Sequence, residues 1–246
     1  MGKYFGTDGI RGIYGETLNL DLAYQRGQAI FDVLKKPVLA IGMDTRASSE
    51  KLALAVAEGF SDKGGQVILG GVIPTPAIAF YTKERGISGV MITASHNPHT
   101  FNGIKVFHEG YKLTSGLENA LEEAMEKIQP PDLSALEPQG FDLRILRAYE
   151  EIFMRLDIKK TNLKIGLDCA NGATYRVAKS VFSAYSDHLY LIGDEPNGLN
   201  INLRVGSVYP DAIQALVREN DLDYGFAFDG DGDRIFVCDR HGKIYD

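Results

Sequence analysis

The segment Asp229-Gly-Asp-Gly-Asp-Arg234 carries a carboxylate on every second residue, separated by glycines. This spacing lets the backbone fold around one hard cation and turn a carboxylate oxygen of each aspartate toward it. An EF-hand loop begins with the same alternation, but it needs glycine at its sixth position and glutamate at its twelfth. Arg234 and Arg240 occupy those positions here, which argues against a calcium-sensor loop. The candidate metal ligands are Asp229, Asp231 and Asp233.

The chemistry of this segment favours one metal and leaves one structural alternative. The segment contains no thiol or imidazole, so its carboxylates predict Mg²⁺ rather than Zn²⁺. The alternative is a solvated acidic turn between two strands, although such turns usually carry a single acid beside glycine.

Ser95 lies in Thr93-Ala-Ser-His-Asn-Pro98, directly after an apolar run. Most serines in such a place only cap a helix or occupy a turn. A hydrolase is disfavoured because the Gly-x-Ser-x-Gly elbow is missing and His96, the next residue, is poorly placed as a base. A phosphoserine would add negative charge and three acceptor oxygens, which suit a partner site of Mg²⁺ and Arg234. The two segments together favour Ser95 as a phosphate carrier and as a further metal ligand, with a capping or turn role as the alternative.

The segment Gly6-Thr-Asp-Gly-Ile-Arg-Gly12 is too rich in glycine for the interior of a helix and places Arg11 in a turn-like setting. A guanidinium group there can bind phosphate through its planar fork. The alternative is an ordinary surface arginine in a salt bridge.

Strand-like and helix-like runs alternate ahead of Ser95. The predicted strands are 37–42, 66–69 and 87–92, and the predicted helices are one capped by Ser48 or Ser49 and one over 77–83. Alternation of this kind predicts a largely parallel sheet covered by helices, with ligands at the carboxyl ends of the strands. Ser95 falls at such an end.

The proline-rich stretch 129–140 shows little periodicity and predicts the approach to a domain boundary. The alternation then restarts, with predicted helices at 142–156, 175–183 and 210–218 and predicted strands at 163–167, 189–192, 223–228 and 235–238. We expect two consecutive α/β domains, 1–140 and 141–246, each a mostly parallel mixed sheet covered by helices. No fixed-period repeat is present. The shared element order is compatible with a structural duplication, or simply with two domains of the same class.

The composition limits which binding partners and which cellular compartment the protein can have. The 26 basic and 33 acidic residues leave a formal charge of −7, which argues against a mainly electrostatic nucleic-acid or membrane-surface role. Cys169 and Cys238 lack metal-ligand spacing and predict free thiols in a reducing compartment. No apolar run reaches the roughly 18 to 20 residues that span a bilayer, and 1–12 lacks a secretory apolar stretch. We expect a cytoplasmic protein.

Taken together, three segments in this order resemble the α-D-phosphohexomutases: Phe5-Gly-Thr-Asp-Gly-Ile-Arg-Gly12, Thr93-Ala-Ser-His-Asn-Pro98 and Asp229-Gly-Asp-Gly-Asp-Arg234. Three more are similar to segments of that family: Asp44-Thr-Arg46, Asn102-Gly-Ile-Lys105 and Asp168-Cys-Ala-Asn-Gly172. The opening segment is most similar to bacterial members that interconvert glucosamine 6-phosphate and glucosamine 1-phosphate. The branches that act on mannose and glucose phosphates share the serine and metal segments, so they remain an alternative.

The resemblance implies that phosphorylated Ser95 passes its phosphoryl group to a hexose phosphate and forms a hexose 1,6-bisphosphate, which then returns its other phosphate. Phosphate thereby moves between C6 and C1. Lys105 is the implied general acid/base and Arg11 the second candidate, while Arg234 and His96 bind phosphate. The alternative is that Lys105 and Arg11 only bind phosphate. A lysine acting as a base needs a lowered pKa.

The family also has later domains that supply a sugar-hydroxyl loop and a serine/threonine-rich phosphate loop, and neither loop is found in this sequence. The resemblance therefore implies the two N-terminal domains of a longer mutase, with the missing C-terminal domains as partners and little turnover from this chain alone. The second hypothesis is a stand-alone phosphate- or metal-binding module without turnover.

Overall fold

The computed structural model describes residues 9–246, and the first part of this range forms a mixed sheet covered by helices. Its strands are β1 (Ile10–Ile13), β2 (Val38–Met43), β3 (Gln66–Val72), β4 (Ser88–Ile92), β5 (Phe101–His108) and β6 (Tyr111–Lys112). Its helices are α1 (Leu20–Leu34), α2 (Ser49–Asp62), α3 (Thr75–Arg85) and α4 (Ser115–Met125). The residues of the opening segment before Gly9 lie outside the described range.

A second mixed sheet follows. Its strands are β7 (Thr161–Asp168), β8 (Ser186–Ile192), β9 (Tyr224–Phe228), β10 (Ile235–Asp239) and β11 (Ile244–Tyr245). The accompanying helices are α5 (Arg144–Met154), α6 (Val177–Ser183) and α7 (Pro210–Glu219). These two α/β units confirm the predicted fold class.

The two sheets share one connectivity. In the first, β3, β2 and β4 are parallel neighbours and β5 pairs antiparallel with β4. In the second, β8, β7 and β9 are parallel neighbours and β10 pairs antiparallel with β9. The serine segment joins β4 to β5 and the acidic segment joins β9 to β10, so the two predicted chemical segments occupy equivalent connections.

Helices α1 and α2 cross at glycines. A Cβ at Gly27 would lie 2.1 Å from the carbonyl oxygen of Val56, and a Cβ at Gly59 would lie 2.1 Å from that of Tyr24. Only glycine permits backbones to approach this closely. Helix α1 was not predicted from the sequence, although its buried residues recur at helical spacing.

The start of α2 differs from its predicted form. Ser48 occupies the N-cap position, but its side chain makes no capping bond to the helix. Its neighbour Ser49 instead donates its hydroxyl to Asp44 Oδ1 at 2.8 Å. The predicted position of the cap is therefore right, but the capping bond is absent, because both hydroxyl groups serve tertiary contacts, including bonds from the amide of Asn102.

Helix α5 follows the first sheet in the chain and contacts both α3 and α6. Ile145 is buried in the core beneath α3 together with Ile73 and Ile78. The predicted boundary between residues 140 and 141 stays a prediction. Within residues 9–246, no helix combines the length and apolar character needed to cross a bilayer.

Candidate functional site

Ser95 lies just beyond the carboxyl end of β4, and its backbone is left-handed with φ 53°. This conformation is unusual for a residue other than glycine and points to a local constraint. The Ser95 N–H donates to Thr93 Oγ1 at 2.9 Å, which closes a tight turn directly after the strand. The residue is 1% exposed, so the hydroxyl faces the interior between the two halves of the chain.

The acidic segment forms a second tight turn between β9 and β10. Asp229 Oδ1 accepts the N–H groups of Asp233 and Arg234 at 3.1 and 3.2 Å, and the Asp229 carbonyl accepts the N–H of Gly232 at 3.1 Å. The carboxylates of Asp229 and Asp231 are buried, whereas Asp233 reaches the surface. One oxygen from each of the three carboxylates lies within 4.8 Å of the other two.

The two turns meet directly. Ser95 Oγ donates to Asp229 Oδ2 at 2.5 Å. Gly230 makes this approach possible, because a Cβ at that position would lie 2.5 Å from the Ser95 carbonyl oxygen. The structure therefore brings together the two segments that the sequence singled out.

Lys105 enters the same site from the neighbouring strand β5. Its Nζ donates to Asp231 Oδ2 at 2.6 Å and to Asp233 Oδ2 at 2.9 Å. Burial opposes the charged ammonium, but the two carboxylates outweigh burial and raise the pKa of Lys105. This direction is opposite to the lowering that a lysine acting as a base requires.

The aspartates together carry more negative charge than Lys105 compensates. Burial, followed by the neighbouring Asp231 carboxylate, raises the pKa of Asp229 to about 7. Asp231 Oδ2 also accepts the hydroxyl of Thr75 at 2.5 Å, but Asp231 Oδ1 is buried without a hydrogen-bond partner. An orphaned carboxylate oxygen beside two other carboxylates fits an oxygen-coordinated cation, so this cluster can hold a metal.

Three predicted phosphate-binding groups, His96, Arg11 and Arg234, lie close enough to one another to interact electrostatically. Burial, then Arg234 and Arg11, lower the pKa of His96, which means that both guanidinium groups act on this imidazole. His96 Nδ1 lies 3.4 Å from Ser95 Oγ, a long contact for a hydrogen bond. The two guanidinium groups therefore place positive charge near His96, which suits an anionic substrate.

The sequence analysis missed two residues that contact the serine turn from behind. Arg46 and Asn202 both donate to the Ser95 carbonyl oxygen, each at 2.9 Å. Arg46 belongs to a segment noted only for its family resemblance, and Asn202 carries no local signal. Its left-handed φ of 58° could not be read from the sequence.

Comparison with known proteins places this fold in one family. The family model for phosphoglucomutase/phosphomannomutase, alpha/beta/alpha domain I, matches residues 2–132, and that for domain II matches residues 146–242. The chain belongs to the phosphoglucomutase/phosphomannomutase family.

Two curated relatives are similar to this chain over its whole length. The chain is 40% identical to the phosphoglucosamine mutase of Finegoldia magna and 41% identical to that of Bacillus subtilis, with 100% of this chain covered in both cases. It spans only 57% of the length of each of these two relatives.

A solved phosphoglucomutase/phosphomannomutase family protein from Burkholderia thailandensis superposes with a TM-score of 0.81 at 28% identity. That match covers 96% of this chain and 54% of the other.

Proposed function

We propose that this chain supplies the phosphoserine and metal half of a phosphohexomutase that moves phosphate between C6 and C1 of a hexose phosphate. The observation that carries the proposal is the 2.5 Å bond from Ser95 Oγ to Asp229 Oδ2, which places a candidate nucleophile against a candidate metal ligand. Similarity to phosphoglucosamine mutases favours glucosamine 6-phosphate and glucosamine 1-phosphate as the substrate pair. Mannose and glucose phosphates are the alternative.

The cation we propose is Mg²⁺, held by Asp229, Asp231, Asp233 and an oxygen of Ser95 or its phosphate. Hard oxygen ligands suit Mg²⁺, which supplies charge neutralisation for the transferring phosphoryl group when bound. Arg234, Arg11 and His96 would bind phosphate oxygens.

In the forward step, the P–O bond to Ser95 Oγ breaks while a bond forms from phosphorus to a free hydroxyl of the sugar monophosphate. The sugar hydroxyl loses its proton and Ser95 Oγ gains one. Lys105, whose protonated Nζ bonds to Asp231 and Asp233, is our candidate for the group that passes a proton to the departing serine oxygen. The resulting hexose 1,6-bisphosphate then returns its other phosphoryl group to Ser95, and the same groups act in the reverse sense.

The partners of this half-site follow from the same chemistry. They are the hexose phosphate, the hexose 1,6-bisphosphate that charges Ser95, and the C-terminal domains that full-length relatives possess. We infer a cytoplasmic location, because Cys169 and Cys238 are free and buried, as suits a reducing compartment.

The phosphoserine is tested by incubating the chain with glucose 1,6-bisphosphate and Mg²⁺, followed by intact-protein and peptide mass spectrometry. We expect one added phosphoryl group, located on Ser95 and absent from Ser95→Ala. Phosphate found only on other residues would reject the proposal. Assay of the full gene product with glucosamine, mannose and glucose phosphates tests the sugar.

A further inference from the structure

The back of the serine turn is bound by a single buried guanidinium. Arg46 has a fully buried side chain, and its Nε donates to Asp44 Oδ2 at 2.8 Å. Its remaining donors reach backbone carbonyls on both sides of the turn: those of Ser95, Asn97 and Phe101 at 2.9 Å each, and that of Pro98. A guanidinium has five N–H donors, so its whole bonding capacity is used here.

A residue from the second half of the chain also bonds to two of these four carbonyls. Asn202 lies on the connection that follows β8, and its Nδ2 donates to the carbonyl oxygens of Ser95 at 2.9 Å and Asn97 at 3.1 Å. Residues from both halves of the chain therefore bind the peptide group that follows the candidate nucleophile.

These bonds explain why Ser95 holds a left-handed backbone. With the Ser95 carbonyl fixed from behind, the Cα is turned so that the hydroxyl points to Asp229 on the opposite side. If the carbonyl were released, the residue could relax toward the more populated right-handed or extended regions. The hydroxyl would then leave its position against the acidic turn.

We propose that Arg46 and Asn202 are positioning residues that hold Ser95 in this left-handed conformation and thereby set the rate of phosphoryl transfer to and from its hydroxyl. The kinetic part of this inference rests on the proposed function, and the conformational part does not. Neither residue touches the reacting oxygen, so their effect is on orientation.

Asn202→Gly is the most direct variant, because glycine adopts a positive φ freely and the change removes the side chain that makes the amide contacts. Asn202→Asp keeps the shape and the tolerance for a left-handed backbone, but it replaces the donor with an acceptor. Arg204→Gly is the matched control, since Arg204 lies two residues away with φ 57° and is exposed. Arg46→Lys tests the other partner, because an ammonium offers three donors rather than five.

The experiment measures rates of Ser95 phosphorylation over a range of glucose 1,6-bisphosphate concentrations. We expect both Asn202 variants and Arg46→Lys to lower the maximal rate by about tenfold or more, with little change in the half-saturating concentration. Arg204→Gly keeps the parental rate. A parental rate in the Asn202 variants, or an effect confined to half-saturation, overturns the proposal.

Backbone ¹³C chemical shifts of Ser95 provide a second readout that separates this proposal from the proposed function. In the parent and in Arg204→Gly, we expect Ser95 chemical shifts typical of a left-handed backbone. In Asn202→Gly, we expect these shifts to move toward the values of right-handed or extended residues. If the parent is not phosphorylated on Ser95, the proposed function fails. The chemical shifts alone then test whether Asn202 holds the backbone of Ser95. Unchanged Ser95 shifts in Asn202→Gly then overturn the positioning role.

Discussion

Lys105 occupies the side of the acidic turn where a cation would share its carboxylates. Its ammonium lies 2.6 Å from Asp231 Oδ2 and 2.9 Å from Asp233 Oδ2. A divalent ion that binds these oxygens must compete with this positive charge or share the site with it. The residue thus opposes metal binding by like-charge repulsion, while its positive charge offsets part of the negative charge of the carboxylates.

We predict that Lys105→Met binds Mg²⁺ several-fold more tightly than the parent chain. A full charge is removed within hydrogen-bonding distance of two ligands, at partly buried positions where Coulomb energies reach about 1 kcal/mol or more. Isothermal titration calorimetry measures the change, with Lys51→Met on the exposed surface of α2 as the control. Equal or weaker binding by Lys105→Met would contradict the electrostatic role given to the ammonium.

At the ligands themselves, Asp231→Ala is predicted to weaken Mg²⁺ binding by tenfold or more, on the order of 1.4 kcal/mol. This change removes the buried carboxylate whose Oδ1 has no protein partner. Asp157→Ala, at an exposed position after α5, is the calorimetric control. If Asp231→Ala bound Mg²⁺ as tightly as the parent, the acidic turn would not be the cation site.

Asp168 is a buried acid whose protonation changes the stability of the fold. It is buried at the end of β7, where its carboxylate accepts the N–H groups of Ala170 at 3.0 Å and Gly206 at 2.6 Å. Burial raises its pKa from 3.8 to about 6. A carboxyl whose pKa rises on folding binds protons more tightly in the native state, so its contribution favours folding below pH 4 and is lost as the pH rises to about 6.

We therefore predict that Asp168→Asn removes a downward slope of stability between pH 4 and 6, worth on the order of 2 to 3 kcal/mol. Chemical denaturation at a series of pH values, without metal, gives the difference between parent and variant. Asp157→Asn provides the same charge change at an exposed position. Parallel pH profiles for Asp168→Asn and the parent would contradict the assignment.

At the scale of elements, the acidic turn packs on the serine turn through Gly230. A Cβ there would lie 2.5 Å from the Ser95 carbonyl oxygen and 2.8 Å from Asn202 Nδ2. Gly230→Ala must therefore push the two turns apart, and overpacking of this kind costs about 1 to 3 kcal/mol.

We expect Gly230→Ala to lower the melting temperature by several degrees and to weaken Mg²⁺ binding, because the Ser95 oxygen moves away from the aspartates. Differential scanning calorimetry and titration calorimetry measure the two effects. The same substitution at Gly140, where a Cβ meets no atom within 4 Å, is the matched control. Parental stability in Gly230→Ala would show that the close approach is not required.

Secondary structure was readable from the sequence where side chains serve only the core. Strands β2 and β4 are almost fully buried apolar runs, and both were predicted close to their observed bounds. Strand β5 was missed as a strand because Asn102 and Lys105 interrupt its apolar pattern and serve contacts beyond the sheet.

At the scale of the whole molecule, the sequence indicated the reactive groups but could not give their geometry. The alternation of carboxylates and the serine after an apolar strand were visible as local patterns. The contacts of Arg46 and Asn202 join positions 49 and 107 residues from Ser95, and no local pattern encodes such a pairing. The roles of the site residues remain predictions for the experiments above.

The polypeptide of residues 1–246 is predicted to fold yet to isomerise glucosamine 6-phosphate at least about a hundredfold less efficiently than a full-length relative. It spans 57% of the Bacillus subtilis phosphoglucosamine mutase, so loops that would hold the reorienting bisphosphate are expected elsewhere. Steady-state assays of both proteins give kcat/KM, and a cooperative melt establishes that the shorter chain is folded. Comparable kcat/KM values would place the whole substrate site within these 246 residues.

The bonds that assemble the site also connect distant parts of the chain, which has a consequence for the order of folding. The bond from Ser95 to Asp229 spans 134 residues, and the bond from Thr75 to Asp231 spans 156. Closing chain loops of this length costs entropy before the contacts repay it, whereas the helix pairs and neighbouring strands form from closer segments. During refolding, both sheets should therefore form before the serine meets the acidic turn, and recovery of the complete cation site should be the last event.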